Sequence, residues 1–292
     1  MLKKSFNINS SDIEPKRVVL LGANGFIGSS CIANLNKIGI KNTPLSRQEI
    51  DLLSHNAHDQ LRNFLIPSDT LVFVSAEAPV KNYQMLKNNI IICENVCKAL
   101  ESQRVNHLIY ISSDAVYSDS MEPLNENSIT QPESLHGIMH LSRELMLNSV
   151  AKDYLCVLRP TLIYGSLDPH NGYGPNSFMR KALENEDITL FGNGEELRDH
   201  IYISDVVEII KQVILRDGKG ILNLATGRLV NFYEIAKIAI NITKSKSKIL
   251  HKDRLGPMPH NGYRAFDTKR VDELFKTFEF TKLTQGLKEF LS

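Results

Sequence analysis

The chain has 292 residues, of which 42% are hydrophobic, and carries a formal net charge of +1. That is enough apolar material for a substantial core in one large domain or two modest ones. The near-neutral balance argues against a nucleic-acid partner and against an acidic disordered tail. No apolar run approaches the roughly 20 residues that span a bilayer, so no membrane partner is expected. The first residues start basic but lack both an apolar run and a small-residue cleavage site, which predicts a cytoplasmic, reduced protein. Cys31, Cys93, Cys97 and Cys156 are scattered and read as buried small apolar residues, because no histidine beside Cys93 and Cys97 completes a zinc-like cluster. The run Lys244-Ser245-Lys246-Ser247-Lys248 reads as a solvated loop.

Taken in order, the first element is a strand over 17–21. It runs into Gly22-Ala23-Asn24-Gly25-Phe26-Ile27-Gly28 and then a helix over 27–38. This sequence of strand, glycine turn and helix builds a phosphate cradle. Gly22 makes the tight turn, Gly25 removes the Cβ that would block a pyrophosphate, and Gly28 lets the helix pack closely on the sheet. Further strands are predicted at 43–45, 70–75, 107–112 and 154–158, short apolar runs suited to burial on both faces. Helices are predicted between them at 59–64, 88–100 and 136–151. The alternation predicts an α/β fold with a Rossmann-like, doubly wound parallel sheet.

After Arg159-Pro160-Thr161 the character changes. A turn-rich stretch at 165–175 precedes a helix over 176–183, a strand over 188–191, and helices over 202–215 and 231–242. The division expected is a dinucleotide-binding domain over 1–164, with returning elements near 200–225, and a smaller C-terminal substrate-binding lobe over 165–292. That lobe is expected to pack over the mouth of the nucleotide site, where open α/β sheets bind ligands.

The end of the second strand chooses between nicotinamide cofactors: a carboxylate there binds the ribose 2′-hydroxyl, whereas arginine accommodates a 2′-phosphate. The position falls at Ser46-Arg47, without an acid. Arg47 suits a phosphate and Ser46 adds a hydroxyl donor, while Asp51 and Leu52 border the adenine. NADP(H) is favoured and NAD(H) stays open.

Several segments together resemble the extended short-chain dehydrogenase/reductase family, in its nucleotide-sugar epimerase/dehydratase branch. They are the glycine turn 22–28, the stretch 89–99, Ile111-Ser112-Ser113-Asp114-Ala115-Val116-Tyr117, Leu158-Arg159-Pro160-Thr161-Leu162-Ile163-Tyr164-Gly165, Arg198-Asp199-His200-Ile201-Tyr202-Ile203-Ser204-Asp205 and Asn223-Leu224-Ala225-Thr226-Gly227. The resemblance implies a nucleotide-sugar substrate, a cofactor lined also by Val74, Ser75, Ala76, Asn89 and Pro160, and a homodimer formed through the helices at 88–100 and 136–151. It also implies that Ser113 hydrogen-bonds the sugar, with Asp114 beside it.

In such enzymes a tyrosine moves the proton and a lysine four residues later binds the nicotinamide ribose. Here His136-Gly137-Ile138-Met139-His140 places histidine at both positions. Histidine titrates near neutrality unaided, but an imidazole reaches about 2 Å less far than a phenol, and proton transfer needs contact near 3 Å. The i,i+4 spacing puts both rings on one helix face. A metal on this pair is disfavoured, because the intervening residues lack the glutamate of a metalloprotease helix. Dehydratases of the branch resemble Thr-Asp-Glu where this chain has Ser113-Asp114-Ala115, so elimination of water is disfavoured as well.

In the second lobe, Arg198 matches the family arginine that holds the substrate diphosphate. Arg264 is a second candidate, Asn176 and Phe178 are placed to meet the nucleotide, and Asp205 is expected to cap or buttress the following helix. The expectation is an NAD(P)-dependent epimerase or oxidoreductase acting on a nucleotide-linked sugar. The rival, favoured by the double substitution at His136 and His140, is a catalytically degenerate dinucleotide-binding sensor or partner protein.

Overall fold

The computed structural model describes residues 5–291. Strands β1 (Phe6–Asn7) and β2 (Arg17–Leu21) precede α1 (Phe26–Lys37), followed by β3 (Asn42–Leu45), α2 (Ala57–Phe64), β4 (Asp69–Phe73), α3 (Tyr83–Ser102), β5 (His107–Ile111), α4 (Leu135–Ala151) and β6 (Leu155–Pro160). The chain continues through β7 (Leu162–Tyr164), α5 (Pro175–Leu183), β8 (Ile188–Phe191), β9 (Leu197–Tyr202), α6 (Ile203–Leu215) and β10 (Lys219–Leu224). It ends with β11 (Leu229–Asn231), α7 (Phe232–Thr243), β12 (Ile249–Lys252), β13 (Tyr263–Arg264), α8 (Lys269–Leu274) and α9 (Leu283–Lys288). Two compact units result. The first holds residues up to Ser118, Glu126–Pro160 and Val207–Asn223; the second holds Asp119–Asn125, Thr161–Val206 and residues from Leu224 onward. Residues 119–125 and 161–164, assigned from sequence to the first domain, thus fall in the second unit.

The first unit is a seven-stranded sheet in the order β1-β10-β6-β5-β4-β2-β3, with β2 to β6 parallel and β1 antiparallel to β10. Every residue of β4, β5 and β6 is buried, as expected where helices cover both faces. The strand order turns back at β2, which has β3 on one side and β4 on the other, and such a reversal opens a crevice at the carboxyl ends of the strands. β4 stops at Phe73, short of the predicted Ser75, because the Val74 and Ser75 amides turn to donate to Leu21 O at 2.9 and 3.1 Å. α3 starts five residues before the predicted 88, where the Asn82 side chain caps it by accepting from the Met85 amide at 2.9 Å. That first turn holds Tyr83, Met85 and Leu86, none of them buried, so it adds no core-facing residue to the pattern on which the prediction rested.

The second unit has a sheet in the order β11-β9-β13, with β7 also paired to β9, and a two-stranded β12-β8 ribbon. Its core gathers Tyr164, Phe178, Met179, Ile188, Leu190, Phe232 and Ile235. Sequence patterning misses β9 as a strand because Arg198, Asp199 and His200 run through it, yet all three are buried. Asp199 is held by the Thr161 hydroxyl (2.9 Å) and by the Thr226 amide and hydroxyl. Of the two roles expected of Asp205, capping and buttressing, the structure gives it the second. It lies inside the first turn of α6, and its carboxylate accepts from the amide and hydroxyl of Thr281, both at 2.8 Å, rather than capping the helix. All four cysteines are free and buried. Among the described residues no helix is long and apolar enough to cross a membrane, and no cluster of three or more His, Cys, Asp or Glu side chains is placed to hold a metal ion.

Candidate active site

The glycine turn divides its work between packing and openness. Gly22 has φ +93°, and a Cβ there would meet Ser75 N at 2.7 Å; a Cβ on Gly28 would meet Gly22 O at 2.1 Å. Both glycines are therefore demanded by the close approach of backbones. A Cβ on Gly25 would meet only Gly22 O, at 3.3 Å, and Asn24 and Gly25 are exposed. Helix α1 begins at Phe26 and Ile27 with no side-chain cap and no acidic residue in its first turn. Its leading amides and positive dipole end are left for an anion, so the cradle fits a dinucleotide pyrophosphate.

The ribose end lies beside it. The Gly22 and Ala23 amides both donate to Leu45 O, at 2.9 and 3.3 Å, which brings Ser46 and Arg47 next to the turn. Arg47 is 71% exposed and pairs with Asp51 at 3.3 Å. Glu49, which the sequence reading did not weigh, accepts from both the Ser46 amide (2.7 Å) and the Ser46 hydroxyl (2.5 Å), and these bonds hold its carboxyl below the usual range. Leu52 is buried, and its carbonyl accepts from Asn95.

Beyond β4, Val74, Ser75 and Ala76 lead into a segment tied down by Asn89. The buried Asn89 amide donates to the Glu77 and Met85 carbonyls, both at 2.9 Å, and its Oδ1 accepts from the Glu77 amide at 3.1 Å. It accepts as well from Arg143 on α4, which is wholly buried and also donates to Asn89 O and Ser75 O. Asn89 is thus spent on the backbone of its own segment and on Arg143, and the segment's second tie, Arg143, was missed because its significance depends on α3 and α4 packing together.

Both histidines stand on α4, where the Ser134 side chain caps the helix by accepting from the Gly137 amide at 3.1 Å. The rings meet edge to face, with centroids 4.7 Å apart at 90°. His140 is buried, and its Nδ1 lies 2.8 Å from the Tyr110 hydroxyl. His136 is half-buried; its Nδ1 is enclosed without a hydrogen-bond partner, which leaves Nε2 for proton exchange. Burial lowers the pKa of both rings; the nearby Asp114 opposes the shift at His136, while Arg143 reinforces it at both rings. Ser113 caps a short 3₁₀ turn, Asp114–Val116, by accepting from the Ala115 amide at 3.1 Å, and Asp114 follows it.

Gly137 sets this geometry. A Cβ there would sit 2.1 Å from Ala115 O and 2.6 Å from Pro132 Cβ, so only glycine lets the Ser113–Asp114 turn approach the helix that carries the histidines. Alanine is ordinarily better than glycine within a helix by about 1 kcal/mol. Here the sign reverses: Gly137→Ala is expected to destabilise the protein by about 1–3 kcal/mol through overpacking, as a lowered urea midpoint would show.

Beneath the site runs a buried network that sequence reasoning also missed. Arg159 donates to both Glu144 oxygens (2.9 and 2.5 Å) and to the Tyr117 hydroxyl (2.9 Å), and Ser112 donates to Glu144 at 2.5 Å. Tyr117 in turn donates to Asn223 at 2.7 Å. The Glu144 carboxylate raises the Arg159 pKa against the opposing effect of burial. The network anchors the end of β6, where Pro160 lies. Its signal in the sequence is faint: a glutamate one turn after His140 and an arginine just before Pro160.

In the second unit, cations and acids alternate. Arg198 is buried, donates to Pro259 O at 2.7 Å and lies 3.5 Å from Glu196. Arg264 lies 3.2 Å from Asp119 and 3.0 Å from His260 Nδ1, and Arg254 pairs with Glu196. Two of the predicted nucleotide contacts are otherwise engaged. The Asn176 amide donates to Asp168 at 2.5 Å while its Oδ1 accepts from the Gly165 amide, and the Phe178 ring is buried in the core against Tyr173 and Phe232. Phe178 therefore turns inward because the core of this unit needs its ring.

Fold and cradle together define a dinucleotide-binding α/β protein with a titratable helix face beside the cradle. The family model "NAD dependent epimerase/dehydratase family" matches residues 18–225. The chain belongs to that family. It is 23% identical over 308 residues to the "Uncharacterized UDP-glucose epimerase YtcB" of Bacillus subtilis (strain 168), covering 93% of this chain and 95% of the relative. Among solved structures it resembles a UDP-glucose 4-epimerase with UDP-glucose from Thermotoga maritima, with TM-score 0.81, 24% identity, and coverage of 94% of this chain and 97% of that one. It is also similar to a GDP-L-fucose synthetase from Naegleria fowleri bound to NADP, with TM-score 0.82, 16% identity, and coverage of 97% and 95%.

Proposed function

We propose that the protein is a nicotinamide-dependent enzyme that moves hydride at a carbon of a nucleotide-linked sugar, as an epimerase or a reductase. The observation that carries this reading is the pair of histidines held by Gly137 against the Ser113–Asp114 turn. A nicotinamide cofactor, when bound, supplies the hydride acceptor or donor. The residues of the chain do the rest. The α1 amides and Gly22, Asn24, Gly25 and Gly28 hold the pyrophosphate, and Ser46 and Arg47 take the ribose end. Ser113 hydrogen-bonds the reacting oxygen. His136 accepts the hydroxyl proton as the carbonyl forms and returns it in the reverse step. Arg198 and Arg264 offer the second unit's charge to the substrate diphosphate. Ala115, in the place of a second acid, argues against a dehydratase. A homodimer through α3 and α4 completes the proposal.

For the cofactor, the reading is NADP(H), supported by the exposed Arg47 and by the absence of an acid at Ser46-Arg47. Glu49 is the complication, since it already occupies both Ser46 donors. Fluorescence titration is expected to give NADPH at least a tenfold advantage over NADH, the roughly 1.5–3 kcal/mol of a charge-assisted hydrogen bond. Arg47→Ala should erase the advantage and Glu49→Gln should widen it. Tighter NADH binding by the unaltered chain would overturn the preference. Incubation with a panel of nucleotide sugars and cofactor tests the catalytic reading, and tight binding with no turnover across the panel would favour the sensor.

A further inference from the structure

Arg143 is a full charge with no water around it: the residue is 0% exposed. Its three hydrogen-bond acceptors are neutral. Nε donates to Asn89 O at 2.9 Å, one terminal nitrogen to Asn89 Oδ1 at 2.8 Å, and the other to Ser75 O at 2.8 Å. The guanidinium also lies over the Phe73 ring, 5.1 Å from its centroid. Among the described residues no carboxylate forms an ion pair with it. Carbonyl dipoles solvate such a charge without cancelling it, so its field persists into the surrounding low-dielectric interior.

That field falls on a chain of polar rings. Tyr110 on β5 is buried, near Arg143 and within 5.5 Å, centroid to centroid, of Phe73. Its hydroxyl lies 2.8 Å from His140 Nδ1, and the His140 ring stands edge to face with His136. A hydroxyl near a cation and 2.8 Å from an imidazole nitrogen turns its oxygen toward the cation and its proton toward the ring. Nδ1 of His140 is then an acceptor, and the neutral ring carries its proton on Nε2. The other charged or titratable groups near this chain of rings are Asp114 from the 3₁₀ turn, beside His136, and Cys93 from α3 and Glu144 from α4, beside Tyr110. Of these Asp114 opposes the field of Arg143 at His136.

We propose that Arg143 is a positioning residue for the histidine pair: acting through the Tyr110 hydroxyl, it holds His140 as the neutral Nε2–H tautomer and so fixes the direction and charge of the ring against which His136 works. The proposal rests on the reading of His136 as the proton-transfer group. It accounts for a buried, carboxylate-free arginine on the helix that lacks the family lysine. The cation stands one turn further along α4 and reaches the pair through a tyrosine, not by direct contact with a ribose.

Long-range proton–nitrogen NMR of the full chain labelled with ¹⁵N-histidine reads the tautomer directly, with the His140 signals assigned by their loss in His140→Gln. At pH 7 the expected pattern is a neutral ring with a bare Nδ1 and a protonated Nε2. Tyr110→Phe removes one oxygen and preserves the packing; it should release the ring into a mixture of tautomers. Arg143→Met should move the titration of both rings to higher pH. Should Arg143→Met fail to fold, Tyr110→Phe carries the test. An Nδ1–H tautomer in the unaltered chain, or a tautomer unchanged in Tyr110→Phe, would overturn the proposal. The readout needs no turnover: the expected tautomer in a chain inactive on every nucleotide sugar defeats the catalytic reading alone, and turnover with a mixed tautomer defeats the positioning role alone.

Discussion

His136→Phe is expected to lower turnover of the cognate nucleotide sugar by about 10²–10⁴-fold, the usual contribution of a positioned general acid–base group. Phenylalanine keeps an aromatic ring against His140 and removes only the nitrogens. Cofactor dissociation constants should therefore hold within about twofold, since the substitution leaves the glycine turn unaltered and the ring makes no hydrogen bond at Nδ1. The pH profile gives an independent check. Burial lowers the His136 pKa below its ordinary value of 6.5, so the ring is neutral at pH 7 and ready to accept a hydroxyl proton. Activity in the oxidising direction is expected to be flat from pH 7 upward through the range of the imidazole. It should fall only as the pH drops below 6.5 and through the lowered value. His136→Phe should remove that acid limb along with most of the rate. Full activity in the phenylalanine variant would end the assignment, and an acid limb centred above 6.5 would show that burial does not control the ring.

The second large effect is on stability. Glu144→Ala is expected to destabilise the protein by about 3–5 kcal/mol, because it leaves Arg159 charged and unpaired in the interior. Arg159 is 1% exposed and Glu144 is 0% exposed, so water cannot take the place of the lost carboxylate. Ser112 and Arg159 both lose acceptors in this variant. Glu144→Gln keeps the shape and one acceptor oxygen and should cost less. Urea unfolding of the three chains, at constant m-value, separates these outcomes. A loss below about 1 kcal/mol for Glu144→Ala would mean that the pair is no stronger than a surface ion pair.

Much of the first unit was legible along the chain because its signals are local. Strand β2 has the bounds predicted for it, and α4 begins one residue before the predicted 136. Both follow from apolar runs and caps that a short window contains. The glycine turn was legible for the same reason: steric freedom at Gly22 and Gly28 is needed by whatever chain makes that turn. The first turn of α3 and strand β9 were not legible. The first turn of α3 is marked only by its Asn82 cap, and in β9 polar residues occupy positions whose partners are distant, such as Thr161 and Thr226 for Asp199.

Residue order sufficed for the alternating α/β architecture, the phosphate cradle and the odd pairing of His136 with His140, since each depends on neighbours within about two helical turns. Folding settled what those residues meet. It enclosed Arg143 among neutral acceptors beside Tyr110 and gave Glu49 to Ser46. It also turned Phe178 into a core and set Gly137 under Ala115. Hydrogen bonds and charge fields act over a few ångströms of space, and residues as far apart in the chain as Ser75, Asn89 and Arg143 come within that range only when α3 and α4 pack together over the sheet.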